Sequence, residues 1–172
     1  MIEIDKVLNT ILNESIELPK ILVQGLTNNS SKVKKGYIFF AFKGENNDGN
    51  DFIEDAFKNG ACLAITDSNK LESQKNVVKV EDVRIAAGIA CSNFYNFPQN
   101  KLKLIGITGT NGKTSTSTIL KSILDAKNEK TIQIGTSGIK PTIEINPGLT
   151  TPDIFDLYEI LNYAVNENYK NV

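Results

Sequence analysis

Histidine is absent from this chain, and cysteine occurs twice. Without histidine there can be no Ser-His-Asp triad, no Cys-His pair and no histidine-ligated zinc within these residues. Cys62 and Cys91 are far apart and lack metal-ligand spacing; each lies in an apolar context, which predicts buried free thiols. Long apolar runs are missing too, since none approaches the roughly 20 residues that span a bilayer. The start, Met1-Ile2-Glu3-Ile4-Asp5, has neither the basic nor the apolar region of a signal peptide. Nor is there an excess of one charge. Lys and Arg number 19 against 20 Asp and Glu, a net charge of −1, whereas general nucleic-acid binding calls for a clear basic excess. These absences predict a cytoplasmic protein that neither binds nucleic acid nor inserts into a membrane.

The 172 residues are 40% hydrophobic and 23% charged, a composition with enough apolar material for a core. They leave room for one large domain or two small ones. Strand-like and helix-like patterns alternate along the chain and predict an α/β fold with a mostly parallel sheet. Residues 1–18 place Ile4, Val7, Leu8, Ile11 and Leu12 at helical spacing. Short strands are expected at 21–24, 36–42, 62–66 and 77–80. Helices are expected at 52–59, with Asp51 as cap, and from Asp82 to about Tyr95. Gly25 to Lys35 and Lys43 to Gly49 are polar and turn-rich. Local chemistry alone makes the first of these a connecting loop, with a ligand loop as the alternative. Asn96-Phe97-Pro98-Gln99-Asn100 breaks the pattern and marks a domain boundary, giving domains 1–98 and 101–172.

The second domain opens on the most informative stretch, Leu104-Ile105-Gly106-Ile107-Thr108-Gly109-Thr110-Asn111-Gly112-Lys113-Thr114-Ser115. It reads as strand, glycine-rich turn and helix start. Glycines let backbone N–H groups approach phosphate oxygens, and the helix N-terminus adds a favourable dipole. Lys113 is the candidate for the outer phosphates, and the Thr114 hydroxyl is the candidate Mg²⁺ ligand. The glycine spacing, G-x-x-G-x-x-G-K-T, departs from G-x-x-x-x-G-K-[ST], which requires glycine at Ile107. It also fails G-x-G-x-x-G, and no acid ends the next strand, Thr131-Ile132-Gln133-Ile134. The reading is an ATP site of variant form. Its helix is expected to run from Lys113 to about Asn128, with Ile119, Leu120, Ile123 and Leu124 on one face. A turn or hairpin is expected at 140–148. A last helix, from Ile154 to about Asn168, has Pro152 in its first turn. A doubly wound ATPase needs further βα units, so a fragment of a longer enzyme is expected.

The residues from Gly106 to Thr114 resemble the ATP loop of the Mur ligases and their folylpolyglutamate synthase relatives, whose loop is itself this variant. Ser30-Ser31-Lys32-Val33-Lys34-Lys35-Gly36, followed by Ile38-Phe39-Phe40-Ala41, resembles S-R-K-V-x-P-G-D-x-F-x-A of the family branch that adds a diamino acid. Asp48-Gly49-Asn50-Asp51-Phe52-Ile53 is similar to its D-G-H-x-F-I, and Gly135-Thr136 and Thr150-Thr151-Pro152 to its G-T and T-T-P. The resemblance implies an ATP- and Mg²⁺-dependent amide ligase of peptidoglycan synthesis. Such an enzyme joins meso-diaminopimelate or L-lysine to UDP-N-acetylmuramoyl-L-alanyl-D-glutamate through an acyl phosphate. An N-terminal domain for the UDP end and the start of a central ATPase domain would be present. By position, Gly109, Thr110, Asn111, Gly112, Lys113, Thr114 and Ser115 would hold ATP, with Lys113 and Thr114 catalytic. Asn28, Ser30, Glu45, Asn46, Asn47, Thr150 and Thr151 would contact the UDP-muramoyl-dipeptide. Asn29, Ser31, Lys35 and Asn50 stand where the branch has Asp, Arg, Pro and His. The chain is expected to act as a monomer and, alone, not to ligate. The alternatives are another Mur-type, cyanophycin-synthetase-like or folylpolyglutamate-synthase-like ligase, or a non-catalytic UDP-sugar-binding module.

Overall fold

A computed structural model of the chain describes residues 1–12, 18, 20–44, 47–69, 75–136, 138–143 and 152–172. The chain divides into two compact units, Met1–Phe94 and Tyr95–Val172. The first begins with β1 (Ile2–Glu3), a single helical turn α1 (Ile4–Val7), and β2 (Leu22–Val23), which pairs antiparallel with β1. The helix expected over 1–18 is therefore one turn among the described residues. Thr10 has φ of 67°, a left-handed backbone that cannot continue a helix. Ile4, Val7 and Leu8 are buried, so the apolar spacing holds over that turn. Residues 13–17 lie outside the described set.

A four-stranded parallel sheet follows, ordered β3 (Gly25–Thr27), β4 (Tyr37–Phe40), β5 (Ala61–Thr66), β6 (Val77–Lys79). Strand β3 corrects the expectation that the chain is loop from Gly25. A β-carbon at Gly25 would lie 2.5 Å from the ring of Tyr37, its partner across the ladder. Glycine there makes room for an aromatic on the neighbouring strand. On one face of the sheet α2 (Ile53–Lys58) buries Ile53 and Ala56 against Phe39, Ala41 and Ala64. Residues of opposite parity, Ile38, Phe40, Leu63 and Ile65, point to the other face and are at most 1% exposed. Both faces are thus covered, as parallel sheets require. Full burial contributes about 1.5–3 kcal/mol for each such side chain.

Two carboxylates organise the helix starts of this unit. Asp48, not Asp51, caps the 3-10 turn Gly49–Phe52 that leads into α2, accepting from the Asn50 N–H at 3.0 Å. Asp82 starts α3 (Val83–Phe94) as expected, accepting from the Arg84 and Ile85 N–H groups at 2.8 and 3.0 Å. Cys91 is buried and stands outside any disulfide, but Cys62 is half-buried and donates its thiol to the Tyr37 carbonyl. Partial burial pushes the Cys62 thiol above its ordinary pKa.

In the second unit the stretch that leads into the glycine loop joins its neighbour by a parallel bridge at Lys103↔Asn171, where the sequence reads as a strand, rather than by a continuous ladder. The Lys103 and Ile105 N–H groups donate to Lys170 and Val172 carbonyls, both at 2.9 Å. On its other side the same short segment is bonded by the Ile132 N–H, which donates to the Asn171 carbonyl at 3.0 Å. Residues 170–172 therefore lie between the loop-leading stretch and residues 131–132. Helix α4 (Lys113–Ala126) follows the loop and stops short of Asn128, whose φ is 61°. Its four apolar residues do not share one environment: Leu124 is buried, whereas Ile119 and Ile123 are 60% and 50% exposed.

Strand β7 (Gln133–Gly135) folds back on β8 (Gly138–Lys140), so the hairpin precedes the turn expected at 140–148. Residues 144–148 fall outside the described set. Helix α5 (Ile154–Asn166) is capped by Asp153, whose Oδ1 accepts from the Phe155 and Asp156 N–H groups, both at 2.9 Å. Pro152 stands before that cap, not in the first turn. Ile132, Ile139, Ile160 and Ala164 form the buried core of the unit.

Candidate nucleotide site

The loop after Ile107 turns on glycines with positive φ, Gly109 at 153° and Gly112 at 81°. Gly112 is the N-cap of α4 and offers no side-chain acceptor to the first helical N–H groups. This sets α4 apart from α3 and α5, whose first turns are satisfied by Asp82 and Asp153. The opening amides of α4 face solvent, with Lys113, Thr114 and Ser115 exposed. A β-carbon at Gly106 or Gly112 would meet nothing within 4 Å, so the mouth of the loop is open. Open mouth, uncapped helix start and a lysine at its first position form a surface that fits a polyphosphate.

Lys113 does not extend into that mouth. Its Nζ donates to the Gly109 carbonyl at 2.5 Å and lies 3.5 Å from the Thr110 carbonyl. The ammonium thus bonds the carbonyls of its own loop, and an anion would compete with them for it. The Thr114 hydroxyl lies 3.1 Å from that of Thr136, just past β7. Thr136 is not among the residues assigned a role by position, although the Gly135-Thr136 match points to it. Behind the loop is a cavity of about 380 Å³, lined among others by Ile105, Ile107, Ser117, Leu120 and Gln133. In the sequence Gln133 reads simply as part of a strand. Its alternation with Thr131 and the Ser/Thr run at 114–118 are the signals that could expose it.

In the first unit, the remaining candidates follow the C-terminal ends of adjacent parallel strands, where ligands of open α/β sheets bind. Asn28 and Ser30 follow β3, and Asn47 follows β4. The turn at Ser30–Lys32 is built by Asn29, whose Oδ1 accepts from the Ser31 N–H at 2.9 Å. Asn59 donates to the Ser30 carbonyl at 2.9 Å, fixing that residue from α2's end. Asn47 is exposed, and its carbonyl accepts from the Gly44 N–H. Asn50 is engaged locally, donating to Asp48 at 2.7 Å and accepting from the Thr66 hydroxyl at 2.5 Å. Nearby, the Arg84 guanidinium stacks over Phe42 and donates to the Lys43 carbonyl at 3.0 Å. Glu45, Asn46, Thr150 and Thr151 lie outside the described residues.

Fold and loop together define an α/β protein whose second unit carries a glycine loop at the head of a helix. Residues 22–95 match the family described as Mur ligase family, catalytic domain, and residues 107–172 match the Mur ligase middle domain. The chain belongs to the Mur ligase family. It is 43% identical over 161 residues to the UDP-N-acetylmuramoyl-L-alanyl-D-glutamate--2,6-diaminopimelate ligase of Caldanaerobacter subterraneus subsp. tengcongensis, covering 90% of this chain and 32% of that protein. The ligase of the same name from Aquifex aeolicus is 42% identical over 151 residues, covering 87% and 31%. Among solved structures, a ligase of that name superposes with a TM-score of 0.78 at 23% identity, covering 99% of this chain and 34% of that one. MurF ligase from Thermotoga maritima in complex with ADP gives 0.55 at 24% identity, covering 84% and 30%. The chain spans about a third of the length of these curated relatives.

Proposed function

We propose that these residues are the UDP-end unit and the nucleotide loop of an ATP-dependent amide ligase of cytoplasmic peptidoglycan synthesis. The acceptor is UDP-N-acetylmuramoyl-L-alanyl-D-glutamate and the incoming amine is that of a diamino acid. The names of the relatives favour 2,6-diaminopimelate over L-lysine. The observation that carries the reading is the start of α4. It is uncapped, exposed, opens on Lys113-Thr114, and follows a loop whose glycines leave the backbone accessible.

ATP would supply the phosphoryl group that turns a poorly electrophilic carboxylate into an acyl phosphate, leaving ADP, and attack of the amine on its acyl carbon would form the amide and release phosphate. The residues of this chain bind and orient. Backbone N–H groups from Gly109 to Ser115 hold the phosphates. Lys113 leaves the Gly109 carbonyl for a phosphate oxygen and balances charge there. The Thr114 hydroxyl, which lies beside Thr136, would ligate Mg²⁺. Asn28, Ser30, Glu45, Asn46 and Asn47 bind the UDP end, and Thr150 and Thr151 the muramoyl-peptide. In the full-length ligase, Lys113→Ala should lower the rate of ATP-dependent ligation by roughly 10²–10³-fold, about 3–4 kcal/mol of barrier, with the melting temperature unchanged. Ligation by that variant at the wild-type rate would overturn the proposal.

A further inference from the structure

Gln133 opens β7, and its side chain is polar yet only 6% exposed. Strand alternation places it on the same face as Thr131, which is also 6% exposed. Its Nε2 donates to Ser117 Oγ at 2.7 Å and lies 3.1 Å from Thr118 Oγ1, both on the second turn of α4. Ser117 Oγ in turn donates to the Thr114 carbonyl at 3.0 Å. A hydroxyl has one proton, and here it is committed to that carbonyl. Ser117 therefore accepts from the amide, and the direction of the relay is set: amide to hydroxyl to the backbone of Thr114. Just past the end of that strand, the Thr136 hydroxyl meets that of Thr114. The strand thus grips the first two turns of α4 at two levels.

The other end of the amide shows that this arrangement is not simple filling of space. Gln133 Oε1 is buried and has no hydrogen-bond partner among the described atoms. Leaving a buried carbonyl unpaired is destabilising. A leucine or methionine would avoid that cost beside the apolar side chains of Leu120 and Leu124, which line the same cavity. What an apolar residue could not do is donate to Ser117. The opening amides of α4 must converge on phosphate oxygens, and a small rotation of the helix spoils that convergence.

We infer that Gln133 is a positioning residue of the nucleotide loop, holding the Lys113–Thr114 turn in its phosphate-binding orientation through Ser117. The inference rests on reading the loop as an ATP site. Its test is a double-mutant cycle in the full-length protein, with ATP affinity measured by calorimetry, KM and kcat by ligation assay, and the melting temperature alongside. Gln133→Leu should weaken ATP binding roughly tenfold and raise KM for ATP, leaving KM for the UDP-linked substrate unchanged and the melting temperature no lower than wild type. Ser117→Ala should do the same, and the double variant should be no worse than Ser117→Ala. Gln133→Glu keeps the size but cannot donate, so it should fail like Gln133→Leu, and it serves as the test if the leucine variant is unstable. Wild-type ATP affinity in Gln133→Glu, or losses that multiply in the double variant, would overturn the inference. Equal ATP affinity in wild type and Lys113→Ala would instead overturn the reading of the loop.

Discussion

Two apolar stretches, Ile38-Phe39-Phe40 in the first unit and Leu104-Ile105 in the second, look alike as sequence and differ in place. The first is buried to within 1% of complete, and Leu104 is 49% exposed. Strand β4 has a parallel neighbour on each side and side chains packed above and below. The loop-leading stretch is bonded on one side by a segment three residues long. An apolar run states a capacity for burial; the number of neighbours decides how much of it is used. The first unit invests that capacity in a closed core. The second carries its glycine loop on a thinner frame, where polar side-chain contacts take a larger part in holding α4.

The largest effect expected from this contrast is at Phe39. Phe39→Ala should destabilise the first unit by about 3–5 kcal/mol, read from urea unfolding followed by circular dichroism. Leu104→Ala should cost about 1 kcal/mol in the same experiment, because half of that side chain is already in water. Equal costs at the two positions would break the comparison. The smallest effect belongs to the surface pair Glu3–Lys6, 2.8 Å apart with both side chains well exposed. The hydrogen bond and charge of Lys6 hold the Glu3 carboxyl below its usual pKa. Any stabilisation from the pair is therefore present above the ordinary carboxylate range and lost as pH falls through the lowered value. Glu3→Gln should lose that acid-side dependence, with a melting temperature at pH 7 within error of wild type.

Much of the architecture is legible in the sequence because it depends on local pattern. The four-residue apolar strand β4, the Asp82 cap of α3 and the lysine at the head of α4 each announce themselves within a few residues. Features set by distant partners are not legible. Gly25–Thr27 is too short for alternation to show, and its membership in the sheet depends on the Tyr37 ring lying over Gly25. The single turn of α1 cannot resume beyond its cap because Thr10 takes a left-handed backbone, for which its side chain has no strong preference. The sequence points to Asp51 as the cap before α2, and the 3-10 turn Gly49–Phe52 puts Asp48 in that role instead. At the nucleotide loop, the glycines and Lys113-Thr114 can be read directly. The contacts of Thr136 and Gln133 cannot, because they require β7 to lie beside the second turn of α4.

The bridge between Lys103 and Asn171 also has a consequence in time. Its partners are about seventy residues apart in the chain, whereas those of the first unit's sheet are separated by roughly a dozen to two dozen. Closing the longer loop costs about 1–1.5 kcal/mol more in chain entropy, and distant pairings form late. During synthesis the first sheet can assemble while the second unit is still being made. The stretch that leads into the phosphate loop gains its ladder partner only when residues 170–172 have emerged. The segment closest to the proposed chemistry is thus the last of the two frames to set.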